Sequence, residues 1–563
     1  MSNYAGYLKK LIKEKLLKSR IVCELRAEHS YRKWLRSREK RKEKGTIPEA
    51  GKERPLFSVI LLSGNKTGGR WSRTRDSVLR QTCRAYECIS EADLASAAAR
   101  AAGTYFIIPE EGALLDAELL RRFSELLAEK PELDLIYCDE DRYVVNGALR
   151  CRPFFKPDWS PDLIWSVPFV GCSAAFRGDT VKKILREKEM TADFAGEAGR
   201  YAFLLKFLGV TENRRIGHVP EILCHIPGRP GKTVFDPSAG EDGEACCMAA
   251  EKRIRRENLD ARMERIPGID RFRIVYGTWR NPLVSIIIPS KDHPEMLGQC
   301  VRSIRELTDY KNYEILVVDN GSSPENEIQI RRLLEECGAV YLYAKETFNF
   351  SRMCNRGAAA AKGEYFLFLN DDIRIIQPDW LRRMLGQAMQ PHTGAVGAKL
   401  LYPDSGLIQH AGVSNTEDGP CHSFMMGRED FAYYYPYHKL NYNCLAVTGA
   451  CLMVERRKFL EAGGFDESYP VAYNDVKLCF SLHRAGYYQV VRNDAAAYHY
   501  ESYSRGLDAL DEQKQKRLRE ELERLFRDYP EFRGKDPFLN PNLTHCSYTL
   551  SLRTGGPWNE QKS

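Results

Sequence analysis

The sequence predicts an α/β protein of two tandem modules, each a mostly parallel sheet covered by helices, behind a basic helical segment. Three observations predict this class. A buried-strand pattern recurs: FSVILLS (57–63) returns as VSIIIPS (284–290). Longer stretches also repeat. AARAAGTYFI (98–107) lies on AAAAKGEYFL (358–367) at an offset of 260, and IGHVPEILCH (216–225) lies on VVRNDAAAYH (490–499) at 274. Self-similarity over such distances marks a repeated structural unit. Third, continuous apolar runs alternate with amphipathic stretches, the pattern of strands buried on both faces of a parallel sheet. With 563 residues, 43% hydrophobic and 11% aromatic, the chain can bury a sizeable core in each module.

Residues 1–50 read as a basic helical segment and linker. Tyr4, Tyr7, Leu8, Leu11, Ile12 and Leu25 fall at helical spacing, and the continuation YRKWLRSREKRKEK carries Tyr31 and Trp34. Residues 1–44 hold 15 Lys/Arg against 5 Asp/Glu, a net of +10, while the whole chain is +7. Two readings stay open: a helix drawn peripherally to anionic lipid at the inner face of the cell membrane, or an apolar stripe packed on the body of the chain. Nucleic acid is not expected as a partner, because the rest of the chain sums to about −3 and supplies no basic face.

After the Gly/Pro-containing linker GTIPEAGKERP, residues 51–250 form the first module and 251–281 a charged helical linker. Residues 282–510 form the second module and 511–563 a C-terminal helix and tail. The 17 cysteines show no CxxC spacing, which leaves a zinc ribbon or thioredoxin-like motif unsupported and predicts reduced thiols in a cytoplasmic protein. No run reaches the ~18–20 apolar residues that cross a bilayer.

The chemistry concentrates in the second module. Ligands of open α/β sheets bind at the carboxyl ends of strands. VSIIIPSKD ends at Pro289 and Ser290, and NYEILVVDNGSS ends at Asp319. Asp319 can accept from a ribose hydroxyl or base edge; equally, Asp319 or Ser322 can cap the following helix. KGEYFLFLNDDIRII (362–376) delivers Asn370, Asp371 and Asp372 to the same edge in the middle of an apolar run, where carboxylates are costly unless something satisfies them. Oxygens on a short turn suit Mg²⁺ or Mn²⁺, which also take phosphate oxygens. Asn474 and Asp475 open an amphipathic helix. Asp475 there is either a carboxylate stabilised by the helix dipole or a general base aimed into a cleft. His499 closes a small apolar strand, as a structural residue or a metal ligand.

The ordered stretches VSIIIPSKD, EILVVDNGSS, FNFSRMCNRGAAAAKGEYFLFLNDD, IQHAGV, VTGACLMVERRKFLEAGGFDE, YNDVKLCFSLHRAGY and YHYESYSRG resemble the family 2 glycosyltransferases of the GT-A fold. The resemblance is strongest to two-module bacterial surface-polysaccharide enzymes of rhamnosyl- or O-antigen-transferase type, and includes FKPDWSPDL (155–163) and NPNL (540–543). It implies a nucleotide-sugar donor, dTDP-rhamnose or a UDP-hexose, a glycan or lipid-linked glycan acceptor, and a divalent metal. It implies Pro289, Ser290, Asp319, Asn370 and Asp371 at the donor, Asp372 and His499 at the metal, and Asp475 as the base of a single inverting displacement. Asn370 departs from the first Asp of the family's DXD signature. Trp380, His410, Thr448, Gly449 and Asn474 are placed in the sugar and acceptor cleft.

The first module serves as an internal control. Asn370-Asp371-Asp372 falls on Glu110-Glu111-Gly112 and Asp475 on Tyr201, while His499 keeps its counterpart in His225. Between Glu87 and Gly103 the first module is also 33 residues shorter than the second between Glu314 and Gly363, an interval read as the second strand, its helix and the next strand. The first module therefore reads as degenerate, used for packing, acceptor binding or assembly. A second active site around YCDEDR (137–142) is the alternative. A sugar-nucleotide pyrophosphorylase lacks the Gly-rich loop it needs in IPSKDHPEML, and a catalytically inactive glycan-binding scaffold is opposed by Asp372, Asp475 and His499.

Overall fold

The computed structural model describes residues 28–37, 56–63, 69–144, 149–186, 194, 196–228, 243–430, 437–500, 512–546 and 549–553. Most of the basic segment, the linker 45–55, most of YESYSRG and the last ten residues lie outside the described residues.

The first sheet gathers β1 (Phe57–Leu61), β2 (Tyr86–Ser90), β3 (Tyr105–Ile107), β4 (Leu114–Leu115), β5 (Leu135–Val144), β6 (Leu149–Phe154), β7 (Ala175–Arg177) and β8 (Ile216–Pro227). An antiparallel pair, β9 (Ala261–Arg265) and β10 (Phe272–Tyr276), follows. The second sheet contains β11 (Val284–Ser290), β12 (Tyr313–Asp319), β13 (Val340–Tyr343), β14 (Tyr365–Leu369), β15 (Ile373–Ile375), β16 (Thr393–Leu401) and β17 (Ile408–His410). Beyond the separate pair β18 (Val413–Thr416) and β19 (Gly419–His422), it resumes with β20 (Tyr442–Cys444), β21 (Cys451–Glu455) and β22 (Tyr488–His499).

The sequence repeat has its counterpart in the strand order. The first sheet runs β2-β1-β3-β7-β5-β8-β4 and the second β13-β12-β11-β14-β21-β16-β22-β15. Position by position the pairings agree: parallel for β1 with β2 and β3, and for β11 with β12 and β14; antiparallel for β3 with β7, and for β14 with β21. One expectation needs correcting. The second strand is present in the first sheet as β2; what it lacks is the helix Pro324–Glu336 and the edge strand β13.

Strand alternation splits each sheet between two cores. Ile286, Ile288, Leu367 and Leu369 enter a cluster belonging to the second sheet, and Val59, Ile107 and Ile136 one belonging to the first. The opposite faces, with Ile60, Phe106 and Tyr137 on one sheet and Ile287, Phe366 and Phe368 on the other, join a single apolar cluster that runs through both.

The helical linker expected over 251–281 is also corrected. The helix Gly243–Arg256 ends there, and β9 and β10 follow. Asn258 at φ 50° and Gly268 at φ 77° turn the chain, and FRIVY has strand character. Of the basic segment, 28–37 is helical. Tyr31 and Trp34 are turned inward and stack on each other, Trp34 meets Phe155 edge-on, and the Tyr31 hydroxyl donates to Asp141. Within 28–37, the packed stripe is the reading that holds.

Candidate active site

Three strand ends of the second sheet converge. β11 stops at Pro289-Ser290, whose carbonyl accepts from Asn320 N at 3.0 Å just beyond β12. Ser290 Oγ donates to Asp371 Oδ2 at 2.6 Å. Asp371 is half-buried, and burial pushes its carboxyl up to about 6, with the Ser290 hydroxyl opposing and the Asp372 charge adding to the rise.

Asp372 and His499 are brought together by register. Ile373 pairs with His499 across β15 and β22, and Tyr500 N donates to the Asp372 carbonyl at 3.0 Å. His499 Nε2 then lies 3.1 Å from Asp372 Oδ1 and 3.4 Å from Asn370 Nδ2, while Nδ1 donates to Gln409 Oε1 at 2.6 Å. Asp372 Oδ1 is buried and receives no hydrogen bond. A buried carboxylate oxygen left without a donor is expensive. A hard cation beside it would remove that cost, so the pair fits Mg²⁺ or Mn²⁺. No cluster of three His, Cys, Asp or Glu side chains suited to a metal occurs among the described residues. A cation here would complete its shell with donor phosphates and water, as Mg²⁺ commonly does.

Asp475 opens the helix Asn474–Arg484. Its Oδ2 accepts from Gly449 N at 2.7 Å and its Oδ1 from Val476 N at 2.8 Å, which leaves acceptor capacity on a half-buried carboxylate. Tyr473, immediately before the helix, sits at φ 55°. A non-glycine residue held left-handed costs about 1–3 kcal/mol and persists where its surroundings fix it. Here Ala472 N donates to Glu521 of the C-terminal helix at 2.8 Å. One short turn links the Asp475 and Asn370 sides: Gly449 holds Asp475, and the next carbonyl, Ala450 O, accepts from Asn370 N at 3.0 Å.

Four expected site residues are placed differently. Trp380 is 1% exposed in the core and donates from Nε1 to Thr308 Oγ1 at 3.1 Å; it does not line a cleft. His410 is fully buried beneath the turn, where Nε2 accepts from Gly412 N at 3.3 Å and Thr448 N at 3.4 Å. Burial first, then His422 and His499, keeps His410 far below the ordinary histidine range, so it is neutral. Asn474 is buried, accepting from Asp475 N at 2.7 Å, and shapes the helix start. Asp319 is sealed: Ser322 N and Oγ donate to Oδ1 at 3.0 and 2.8 Å, and the Tyr341 hydroxyl to Oδ2 at 2.5 Å. Ser323, not Asp319 or Ser322, caps the next helix. Asn320, with Thr347, Arg352 and Arg356, lines a cleft of about 190 Å³ beside this strand end. Thr448 is half-buried, with Oγ1 accepting from Ala450 N at 3.3 Å. Gln409 was not anticipated; the only signal for it is its place in IQHAGV, next to a histidine.

The corresponding place in the first sheet is closed. Glu110 and Arg200, which match Asn370 and Asn474, form an ion pair at 2.5 Å. Gly112, matching Asp372, has φ 88°, and a Cβ there would stand 2.8 Å from Pro227 Cγ. In YCDEDR, Asp139 and Asp141 are fully buried and satisfied internally. Asp139 accepts from Lys156 N, His218 and Asn540, and Asp141 from Tyr31, Arg150 and His225.

The second sheet is thus parallel-rich, and its strand ends gather two carboxylates and a histidine. Residues 285–462 match the family model Glycosyl transferase family 2. It is 34% identical over 451 residues to an uncharacterized protein of Sinorhizobium fredii, covering 79% of this chain and 49% of the relative. It is 34% identical over 433 residues to the O-antigen biosynthesis protein RfbC of Myxococcus xanthus, covering 75% and 32%. The chain thus spans half or less of the length of these curated relatives. Among solved structures, a mannosyltransferase from Pyrobaculum calidifontis in complex with GDP-Man and Mn²⁺ matches at TM-score 0.34 and 19% identity, covering 44% of this chain and 64% of that one. Among the described residues no helix is long and apolar enough to cross a membrane.

Proposed function

We propose that the second sheet carries a metal-dependent, inverting glycosyltransferase site. It moves a sugar from dTDP-rhamnose or a UDP-hexose to a hydroxyl of a growing, lipid-linked bacterial surface glycan. The observation that carries the proposal is the orphaned Asp372 Oδ1 facing His499 Nε2 at 3.1 Å, linked through Asn370 and the Gly449-Ala450 turn to Asp475. The relative named for O-antigen biosynthesis supports the glycan acceptor.

In this reading Asp372 and His499 hold Mg²⁺ or Mn²⁺, which supplies Lewis-acid neutralisation of the donor diphosphate. Pro289, Ser290, Asn370 and Asp371 form the wall against the donor, and Asp319 fixes the β12 turn on which Asn320 reaches the cleft. Asp475 accepts the proton of the acceptor hydroxyl as that oxygen attacks the anomeric carbon from the face opposite the leaving diphosphate. Gly449 N–H and Val476 N–H hold the carboxylate in place while leaving it lone pairs to accept with. The first sheet and the modules' proposed bounds, 51–250 and 282–510, belong to the same reading: the former is a degenerate unit that supports the latter.

A screen of nucleotide sugars with Mn²⁺ tests the proposal. A true donor at a hundred times its Kd stabilises the protein by about 2.7 kcal/mol, and its slow hydrolysis follows. A full panel with neither stabilisation nor hydrolysis refutes the reading.

A further inference from the structure

We propose that Gln409 is a positioning residue for the reaction centre: its side-chain carbonyl holds the His499 ring with hydrogen on Nδ1, so that Nε2 offers a lone pair toward Asp372. The inference rests on the reading of Asp372 and His499 as the metal-holding pair and names the residue that keeps this pair competent.

Both sides of the ring carry the argument. Gln409 is 2% exposed, and its Oε1 lies 2.6 Å from His499 Nδ1. A carbonyl oxygen only accepts, so Nδ1 bears hydrogen. On the other side Asn370 Nδ2, which only donates, lies 3.4 Å from Nε2. Donor and acceptor therefore agree on one neutral tautomer, with Nε2 bare. Bare Nε2 and the hydrogen-bond-free Asp372 Oδ1 are then two acceptors 3.1 Å apart. Such a pair is unfavourable by itself and favourable around a cation.

The opposite tautomer would undo this. Hydrogen on Nε2 could satisfy Asp372 directly, closing the pair to a metal. It would also set a bare Nδ1 against the Gln409 oxygen at 2.6 Å, two buried acceptors with nothing between them. Gln409 thus moves the cost of an empty site onto the metal side of the ring.

The backbone is built to aim this side chain. β17 pairs with β16 through Leu400 with His410 and Leu401 with Ile408, so Gln409 is the extra residue of a β-bulge. Bulges re-aim a side chain at the cost of one ladder position. β16 in turn lies beside β22, Leu400 against Ala497 and Leu401 against Tyr498, which brings the bulge level with His499.

The test is a titration of the full chain with Mn²⁺, with free Mn²⁺ read by electron paramagnetic resonance, alone and with UDP or dTDP present. Gln409→Met keeps the length of the side chain and removes the acceptor. It is expected to weaken Mn²⁺ binding about 10–100-fold, the usual effect of losing the partner of a metal-ligating histidine. Gln409→Glu keeps an acceptor and is expected to bind at least as tightly as the parent. His499→Ala weakens binding in the same assay. In the unaltered protein, ¹⁵N spectra of labelled histidines are expected to show His499 protonated at Nδ1 and bare at Nε2, a measurement independent of how any variant folds. Parent-like binding by Gln409→Met beside weakened His499→Ala overturns the role of Gln409 and leaves the metal pair standing. Parent-like binding by both overturns the metal pair and this inference with it. A hydrogen found on Nε2 of the metal-free protein overturns the inference directly.

Discussion

Replacing Asp162 by alanine tests how the first sheet is fastened to the second. Asp162 belongs to FKPDWSPDL, is 2% exposed, and has its carboxylate held by residues more than 200 positions further along the chain. Gln387 Nε2 donates to Oδ1 at 2.7 Å, Asn443 Nδ2 to Oδ2 at 2.7 Å, and His392 Nε2 lies 3.2 Å from both oxygens. Asn443 Oδ1 accepts in return from Ser160 Oγ at 2.7 Å and Asp162 N at 3.0 Å. Burial on its own would raise this carboxyl. The His392 imidazole and the amide donors outweigh it and hold the group below the ordinary carboxylate range, so it is charged at neutral pH.

Alanine strands these donors. Gln387 and Asn443 keep weaker second acceptors, Thr393 Oγ1 at 3.1 Å and Gln489 O at 3.4 Å. The loss therefore falls short of three charged hydrogen bonds at ~1.5–3 kcal/mol each. A cost of about 3–5 kcal/mol, the range for removing one partner of a buried pair, is expected. At ~2–4 °C per kcal/mol for a unit of this size, Tm falls by roughly 10 °C in scanning fluorimetry. The sign with pH follows from the depressed carboxyl. Its stabilisation is present above the unfolded value near 3.9 and disappears as pH falls through the folded one, so the deficit of the variant shrinks in acid. A neutral-pH Tm within about 2 °C of the parent would refute the joint as described.

Asp475→Asn is expected to lower turnover by about 10²–10⁴-fold, the usual worth of a general base, while a donor nucleotide still stabilises the protein; near-parent turnover would sink the assignment. His218 is buried between Asp139 and Asp158, each 2.9 Å from a ring nitrogen, and stacks on Tyr137. Burial alone would lower it, but the two carboxylates push it up to about 9. Its contribution is whole below pH 6.5 and is lost as pH rises through 9. Tm of the parent should decline over that window and that of His218→Gln should not; equal slopes would dismiss the imidazolium. Tyr31→Phe removes a hydroxyl from buried Asp141 and keeps the stacking on Trp34. A loss of about 1–3 kcal/mol in stability is expected, and an unchanged midpoint would count against the docked helix.

Those parts of the site that sit at the ends of apolar runs were legible in the sequence. Asn370, Asp371 and Asp372 follow YFLFL, and His499 ends a strand, so strand order alone brings them to one edge. Residues whose role depends on a distant partner were not legible. Trp380 meets Thr308 in the core, and Asp319 is sealed by Tyr341, 22 residues on; neither contact leaves a mark in local spacing. The roles of His410 and Asn474 as supports beneath a turn and at a helix start come from burial, which residue type does not announce. Gln409 owes its aim to a bulge, and a one-residue register shift cannot be read from a three-residue strand. The helix expected across 251–281 stops at Arg256 because Asn258 and Gly268 turn the chain into strands.

The charges that the first sheet buries tie it to distant parts of the chain. Asp139 reaches Asn540 at 2.8 Å, tying NPNL to β5, and Asp162 reaches His392, Gln387 and Asn443. An apolar contact between the sheets, such as their common cluster provides, tolerates sliding because its energy depends on area more than direction. A buried carboxylate does not tolerate it: moving its donors by an ångström leaves it unsatisfied, at a cost of several kcal/mol. Where the second sheet keeps Asn370 and Asn474, the first carries Glu110 and Arg200, paired to each other. The same fold thus satisfies its strand-edge polar groups from within on one side and leaves Asp372 Oδ1 unsatisfied on the other. That contrast separates a strand edge closed by its own charges from one that leaves a buried carboxylate oxygen open.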